Sequence, residues 1–249
     1  LTARMLDRLL AAAVAIPFVL GTAAASDRGQ VELTFRDPEI IESSGLVVRD
    51  GLVLTVNDSG DTGRVFAVDP ATGETVGVTH WSEDPFDVEA LAPGPDNTRP
   101  DNTVWVGDIG DNDLARDSIS VTRVPVGRGE RTVDEEAYEL VYPRGPANAE
   151  TLLAHPGTGR LYVATKDAFG GELFEAPEHL AAGEPNALRP LGHVLPIATD
   201  GAFFPDGKHL VLRDYSRAVV YTFPDLVEIA SFPLPSQQQG EGIAVEADG

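Results

Sequence analysis

The chain has 249 residues, enough for one domain with a sizeable core, and it has no cysteine. That excludes disulfides, thiolate metal sites, cysteine nucleophiles and a lipid-modified N-terminal cysteine. With 40 acids against 18 Lys and Arg, the formal charge is −22, which argues against nucleic acid and anionic membrane as partners and favours cations.

The N-terminus reads as a targeting segment. Arg4 and Arg8 precede a 12-residue apolar run over residues 9–20, too short to span a bilayer comfortably, and Ala23, Ala24 and Ala25 supply a small-residue cleavage site. Residues 1–25 are therefore expected to be a secretory signal. Residues 26–249 are expected to be the mature domain, extracellular and free of the membrane once the signal is removed.

Residues 31–35 (VELTF) alternate as a strand should. A cassette then recurs. Its first strand appears as SSGLVV, VEALAP, AETLLA, TDGAFF and GEGIAV, with Ser44, Glu89, Glu150, Asp200 and Glu241 at the equivalent position. A turn follows each time, then a second strand (LVLTV, TVWVG, RLYVAT, HLVLR), a third (RVFAV, ISVTRV, GELFEA, AVVYTF) and a fourth (ETVGVTHW, EAYELVY, ALRPLGHV, VEIASFPL). Four short strands in each period of roughly 40–60 residues mark an all-β fold, the β-propeller. Four cassettes are complete and the fifth reaches only its first turn. The reading is a five-bladed ring whose last blade lacks its two middle strands, or part of a six-bladed parent. Residues 31–35, the one spare strand, are expected to close the ring beside that last blade. EAPEHLAAGEP, residues 175–185, has the composition of a single helical turn in a loop.

Antiparallel succession puts the start of each first strand and the end of each second strand on one face of the ring. Strand starts there carry Asp87, Glu89, Asn148, Glu150, Asp200 and Glu241; strand ends carry Asn57, Asp58, Asp108, Lys166 and Arg213. Like carboxylates around one channel repel unless they are protonated or bridged by a cation. An all-oxygen set suits Ca2+ before Mg2+, and no imidazole or thiolate is there to favour Zn2+. The competing arrangement is structural: acids at repeated strand starts accept backbone N–H groups of the neighbouring blade. Asp58-Ser59-Gly60-Asp61 and Asp108-Ile109-Gly110-Asp111 share a spacing that serves either a Ca2+-wrapping loop or an ordinary hairpin turn. None of the five histidines lies beside a candidate nucleophile, and Trp81 and Trp105 sit where side chains pack between blades.

SSGL, VEALA and QGEGIAV, together with NDSGD, resemble secreted bacterial propellers related to the SdiA-regulated, NHL and SMP-30/gluconolactonase-like group. A second, weaker resemblance is to the esterase-like phytase propellers. The first resemblance implies Ca2+ held at a channel mouth by carboxylate and Asn, and in some members lactonase activity. Carried over by position, it touches Glu89, Glu150, Asp200, and Asn57 or Asn148, with Glu241 as the fifth equivalent. The expected function is a binding or scaffold propeller for a small molecule or extracellular protein, with Ca2+ at an acidic mouth. The alternative is a metal-dependent hydrolase of a lactone or phosphate ester, with Asp108 as base and Lys166 or Arg213 holding an anionic group.

Overall fold

Period-two alternation of apolar residues gives strands with two buried faces, and Gly, Pro, Asp and Asn between them give tight turns. The computed structural model describes residues 31–58, 60–82, 84–95, 102–237 and 240–246, and these strands assemble into antiparallel sheets arranged as propeller blades. The first blade holds β1 (Ser43–Arg49), β2 (Leu52–Asn57), β3 (Gly63–Val68) and β4 (Thr75–Ser82). The second holds β5 (Val88–Pro93), β6 (Thr103–Asp108) and β7 (Ile119–Pro125); β8 (Gly129–Thr132) intervenes before its outer strand β9 (Ala137–Val141). The third holds β10 (Ala149–Ala154), β11 (Leu161–Thr165) and β12 (Gly171–Glu175); β13 (Asn186–Ala187) intervenes before β14 (Arg189–Val194). The fourth holds β15 (Asp200–Phe203), β16 (His209–Arg213), β17 (Arg217–Thr222) and β18 (Glu228–Pro233).

The inner strands β1, β5, β10 and β15 neighbour one another in turn. They approach closely: a Cβ on Gly45 would collide with the backbone of Ala90 and Leu91. Both faces of each blade carry Val, Leu and Ile, so the core forms as seams between blades. Val47, Leu54 and Val65 meet Leu91 and Val106 across the first seam. Ala90, Trp105 and Ile119 meet Leu152, Val163 and Phe174 across the second. Leu153, Tyr162 and Leu173 meet Leu210, Leu212 and Tyr221 across the third. Each such side chain, once fully buried, contributes roughly 1.5–3 kcal/mol relative to exposure. Trp105 packs edge-on against Tyr138 at 5.8 Å, and Trp81 packs against the first seam, as aromatic residues on blade strands should.

Two short strands are absent from the repeat pattern. β8 runs parallel to β4 and widens the first blade; β13 runs parallel to β9 and widens the second. Each belongs to a connection of one blade that reaches back over the outer edge of the blade before it. An outer strand otherwise presents unpaired N–H and C=O groups, and these additions cover them. Asn186 fixes the second: its amide donates to the carbonyls of Glu139, Ala181 and Glu184 and accepts from Ala181 N–H. The segment expected to form a helical turn contains no helix; Asn186 supplies its local bonds instead.

Two expectations are corrected. Four blades are present among the described residues, where five with an incomplete last blade were expected. The fifth cassette, residues 240–246, joins no sheet among the described residues. It is held by side chains where an antiparallel partner was expected: Arg213 Nη1 donates to Gly242 O, and Ile243 N–H donates to Asp200 Oδ2. A Cβ on Gly242 would meet Ser44 O, so this segment lies between β15 and β1. Residues 31–35 do not pair beside it. Leu33 and Phe35 pack on Val53, Phe66 and Val68 of the first blade, and Arg36 N–H bonds Gly73 O at 2.9 Å. That blade face carries apolar side chains, and their burial draws the N-terminal segment onto it. The proposed signal, residues 1–25, lies outside the described residues.

Candidate functional site at the channel mouth

Main-chain hydrogen bonds tie strand ends to strand starts on one face. Asp58 N–H bonds Glu42 O, Gly110 N–H bonds Asp87 O, Lys166 N–H bonds Asn148 O, and Thr199 N–H bonds Arg213 O. In each of the four blades the strand start and the strand end therefore lie side by side.

Among these strand ends and starts the carboxylate oxygens of Asp58, Asp87 and Glu89 lie within 4.8 Å of one another. Asp58 ends the second strand of the first blade, while Asp87 and Glu89 start the second blade, so the cluster spans a seam. Gly110 makes room for it: a Cβ there would meet the Asp87 carboxylate and Glu89 Oε1. Glu89 is 3% exposed, and its carboxylate accepts no hydrogen bond from the described residues. Burial, followed by the charges of Glu150, Asp58 and Asp87, pushes its pKa up to about 10. Two unit charges about 4 Å apart repel by about 4 kcal/mol at the effective permittivity of a protein site, so full ionisation of the cluster requires a cation.

Glu150 and Glu241 complete the acidic ring. Glu150 is buried and pairs with Lys166. Its pKa is pushed up to about 7 by burial, opposed by the Lys166 bond, with Glu241 and Asp58 adding repulsion. Lys166 also donates to Tyr215 Oη at 2.9 Å and lies over the Tyr215 ring. Burial disfavours its charge, but the bonds to Glu150 and Tyr215 outweigh this and raise its pKa.

The other sequence candidates serve the frame. Asp200 is buried behind the ring; its Oδ2 accepts Ile243 N–H at 2.8 Å, and Arg213 is the charged group acting on it. Burial raises its pKa well above the usual carboxylate value, and Oδ1 finds no partner among the described residues. Asn57 uses its whole amide, accepting from Ile41 and Glu42 N–H and donating to Glu39 O and Asp61 Oδ2. Asn148 accepts from Asp111 N–H and donates to Asn112 Oδ1. Asp108 caps Phe86 and Asp87 N–H and pairs with Arg116. Arg213 donates to Asp214 O, Gly242 O and Gln237 Oε1. Asp61 pairs with Arg64, and Asp111 caps Ala115 and Arg116, so both Asp-x-Gly-Asp segments have turn roles at their second acid. His155 is likewise committed, through Gly207 O and the Gly157 and Thr158 N–H groups.

The geometry thus brings Glu89, Glu150 and Glu241 together and sets Asp200, Asn57 and Asn148 aside. It adds to the ligand set Asp58 and Asp87, which the sequence places on the rim without marking them as ligands. The signal for them is ring order: the NDSGD end of one blade meets the FDVEA start of the next.

No protein-family model matches the chain, and no curated protein matches it. Among solved structures, the chain is similar to a Dos1 propeller, with 9% identity over 80% of this chain and 50% of that one and a TM-score of 0.44. It is similar to a chain of a nidogen/laminin complex, with 17% identity over 82% and 68% of the two chains and a TM-score of 0.45. It is also similar to a functionally unknown protein from Desulfotomaculum acetoxidans, with 13% identity over 77% and 56% and a TM-score of 0.42. The chain spans half the length of the first of these.

Proposed function

We propose that this protein is an extracellular binding or scaffold propeller whose channel mouth holds a divalent cation, Ca2+ before Mg2+. Asp58, Asp87 and Glu89 are its primary ligands, with Glu150 and Glu241 beside them. The observation that carries this is Glu89: a carboxylate 3% exposed, accepting no hydrogen bond among the described residues, with two further carboxylates within 4.8 Å. A buried acid of that kind is costly unless it is protonated or bound to a cation. Oxygen-only ligands of high charge suit Ca2+, whose shell of 6–8 oxygens would be completed by main-chain carbonyls, water or a bound partner.

The binding reading is preferred over hydrolysis because two of the three catalytic candidates are committed elsewhere. Asp108 is held by Arg116 and two N–H groups, and Arg213 is spent on main-chain oxygens and Gln237. The test is thermal unfolding in Ca2+ and in chelator. A ligand bound only to the native state raises the melting temperature, by about 2.7 kcal/mol of stability at a hundredfold excess over Kd. Identical melting in both conditions would overturn the cation reading.

A further inference from the structure

The chain has two lysines, and one of them stands in the acidic ring. Lys166 bonds Glu150 and Tyr215 Oη, and its ammonium lies 5.3 Å from the centroid of the Tyr215 ring. Its side chain is 20% exposed, whereas that of Glu150 is 6% exposed. The Lys166 charge acts on Glu150, which it bonds, and on Glu89. Arg213 gives its hydrogen bonds to main-chain oxygens and Gln237, and its charge acts on Asp200, Asp214 and Glu241.

We propose that Lys166 is a built-in counter-ion that competes with the divalent cation for the mouth and so sets its affinity; this rests on the cation reading above. In the metal-free protein the ammonium satisfies Glu150. Three carboxylates leave much of a Ca2+ shell unfilled, and Glu150 is the adjacent acid able to extend it. To do so it must exchange Lys166 for the ion. Cation binding thus releases the Lys166 ammonium, and Tyr215, 41% exposed on the rim, loses its polar tether. The device lowers affinity, because a fixed positive charge within a few ångströms opposes an arriving dication. It also gives the rim two arrangements that differ by occupancy of the mouth.

The experiment compares wild type, Lys166→Met, Lys166→Arg and Tyr215→Phe by calorimetric titration with CaCl2 and by melting in chelator. Removing the charge should tighten Ca2+ binding by about tenfold or more, as expected for a unit charge acting over a few ångströms at protein permittivity. Lys166→Arg should stay near wild type. Tyr215→Phe, which keeps the charge and removes one tether of an exposed residue, should tighten binding by roughly two- to threefold, a fraction of one hydrogen bond. In chelator, Lys166→Met should melt below wild type while Lys166→Arg should not. Wild-type affinity in Lys166→Met would overturn the counter-ion role and leave the cation reading standing. If no variant bound Ca2+, the cation reading would fail, and metal-free melting would decide the rest: a loss confined to Lys166→Met supports a counter-ion, and equal melting overturns it.

Discussion

The hydroxyl of Ser44 donates to the main-chain carbonyl of Glu89 at 2.5 Å, across the seam between the first two blades. Ser44 occupies the position that is acidic in every other cassette. In the first blade this position joins the frame, while in the second it points a carboxylate into the mouth. Ser44 is 1% exposed, so its loss leaves a buried carbonyl short of a donor. Ser44→Ala should cost roughly 1–2 kcal/mol. That corresponds to a melting decrease of about 2–8 °C for a domain of this size, measured by differential scanning calorimetry.

Glu89 gives the metal-free protein a distinctive pH profile. Its folded pKa is raised from 4.5 to about 10, so the folded state keeps a proton that the unfolded state releases. Stability from this group is fully present below about pH 4.5 and declines as pH rises toward about 10. Glu150, raised to about 7, acts in the same direction over a narrower range. Asp61, Asp69, Asp206 and Asp214 are lowered below 3.8, and their contribution is lost only in stronger acid. Glu89→Gln should flatten the decline in chelator between about pH 5 and about pH 9. Melting temperatures of the two proteins should therefore diverge as pH rises; parallel curves would show that Glu89 is not the buried acid responsible.

The N-terminal segment is a lid on the first blade. Phe35 is half-buried against Val53, Phe66 and Val68. Phe35→Ala should cost roughly 2 kcal/mol, about half the penalty for a fully buried Phe. Limited proteolysis should then cut sooner within the β1–β4 sheet or its lid than near β18. Destabilisation confined to β15–β18 would place the segment elsewhere.

Asn186 clips the second blade to the third: it donates to Glu139 O of the second blade, while its bonds to Ala181 and Glu184 hold its own connection in shape. Asn186→Ala should cost roughly 2–3 kcal/mol, the sum expected when several buried groups lose their partner. Hydrogen exchange should show faster exchange in β9 with little change in β16.

Much of the fold was legible because blade strands alternate and repeat, and the turn residues mark their limits. The acid position points to one neighbourhood, where the charges of Glu150 and Glu89, and of Glu241 and Glu150, act on each other. What escaped was set by contacts between cassettes. Asp200 shares the repeat position yet is turned to Ile243 N–H, because the fifth segment supplies backbone there where the other blades supply sheet. Asn57 and Asn148 look like ligands by type, but Asn57 is held by main-chain groups of residues 39–42 and by Asp61, and Asn148 by Asp111 N–H and the Asn112 side chain, partners mostly distant in sequence that no residue pattern displays. β8 and β13 pair in parallel with the preceding blade, a long-range choice carried by main-chain atoms and therefore silent in side-chain periodicity. The N-terminal strand was assigned by counting, and the uncovered apolar face of the first blade decided otherwise.

The most direct test of the cation claim is Ca2+ stoichiometry by equilibrium dialysis with wild type, Asp87→Asn and Glu89→Gln, each first shown to fold by circular dichroism. The account predicts one tightly held ion per wild-type chain. It predicts at least about a tenfold loss of affinity in each variant, the scale of removing one carboxylate ligand from a partly buried dication site. Stoichiometric Ca2+ retained equally by all three proteins, or no Ca2+ bound by wild type, would contradict it.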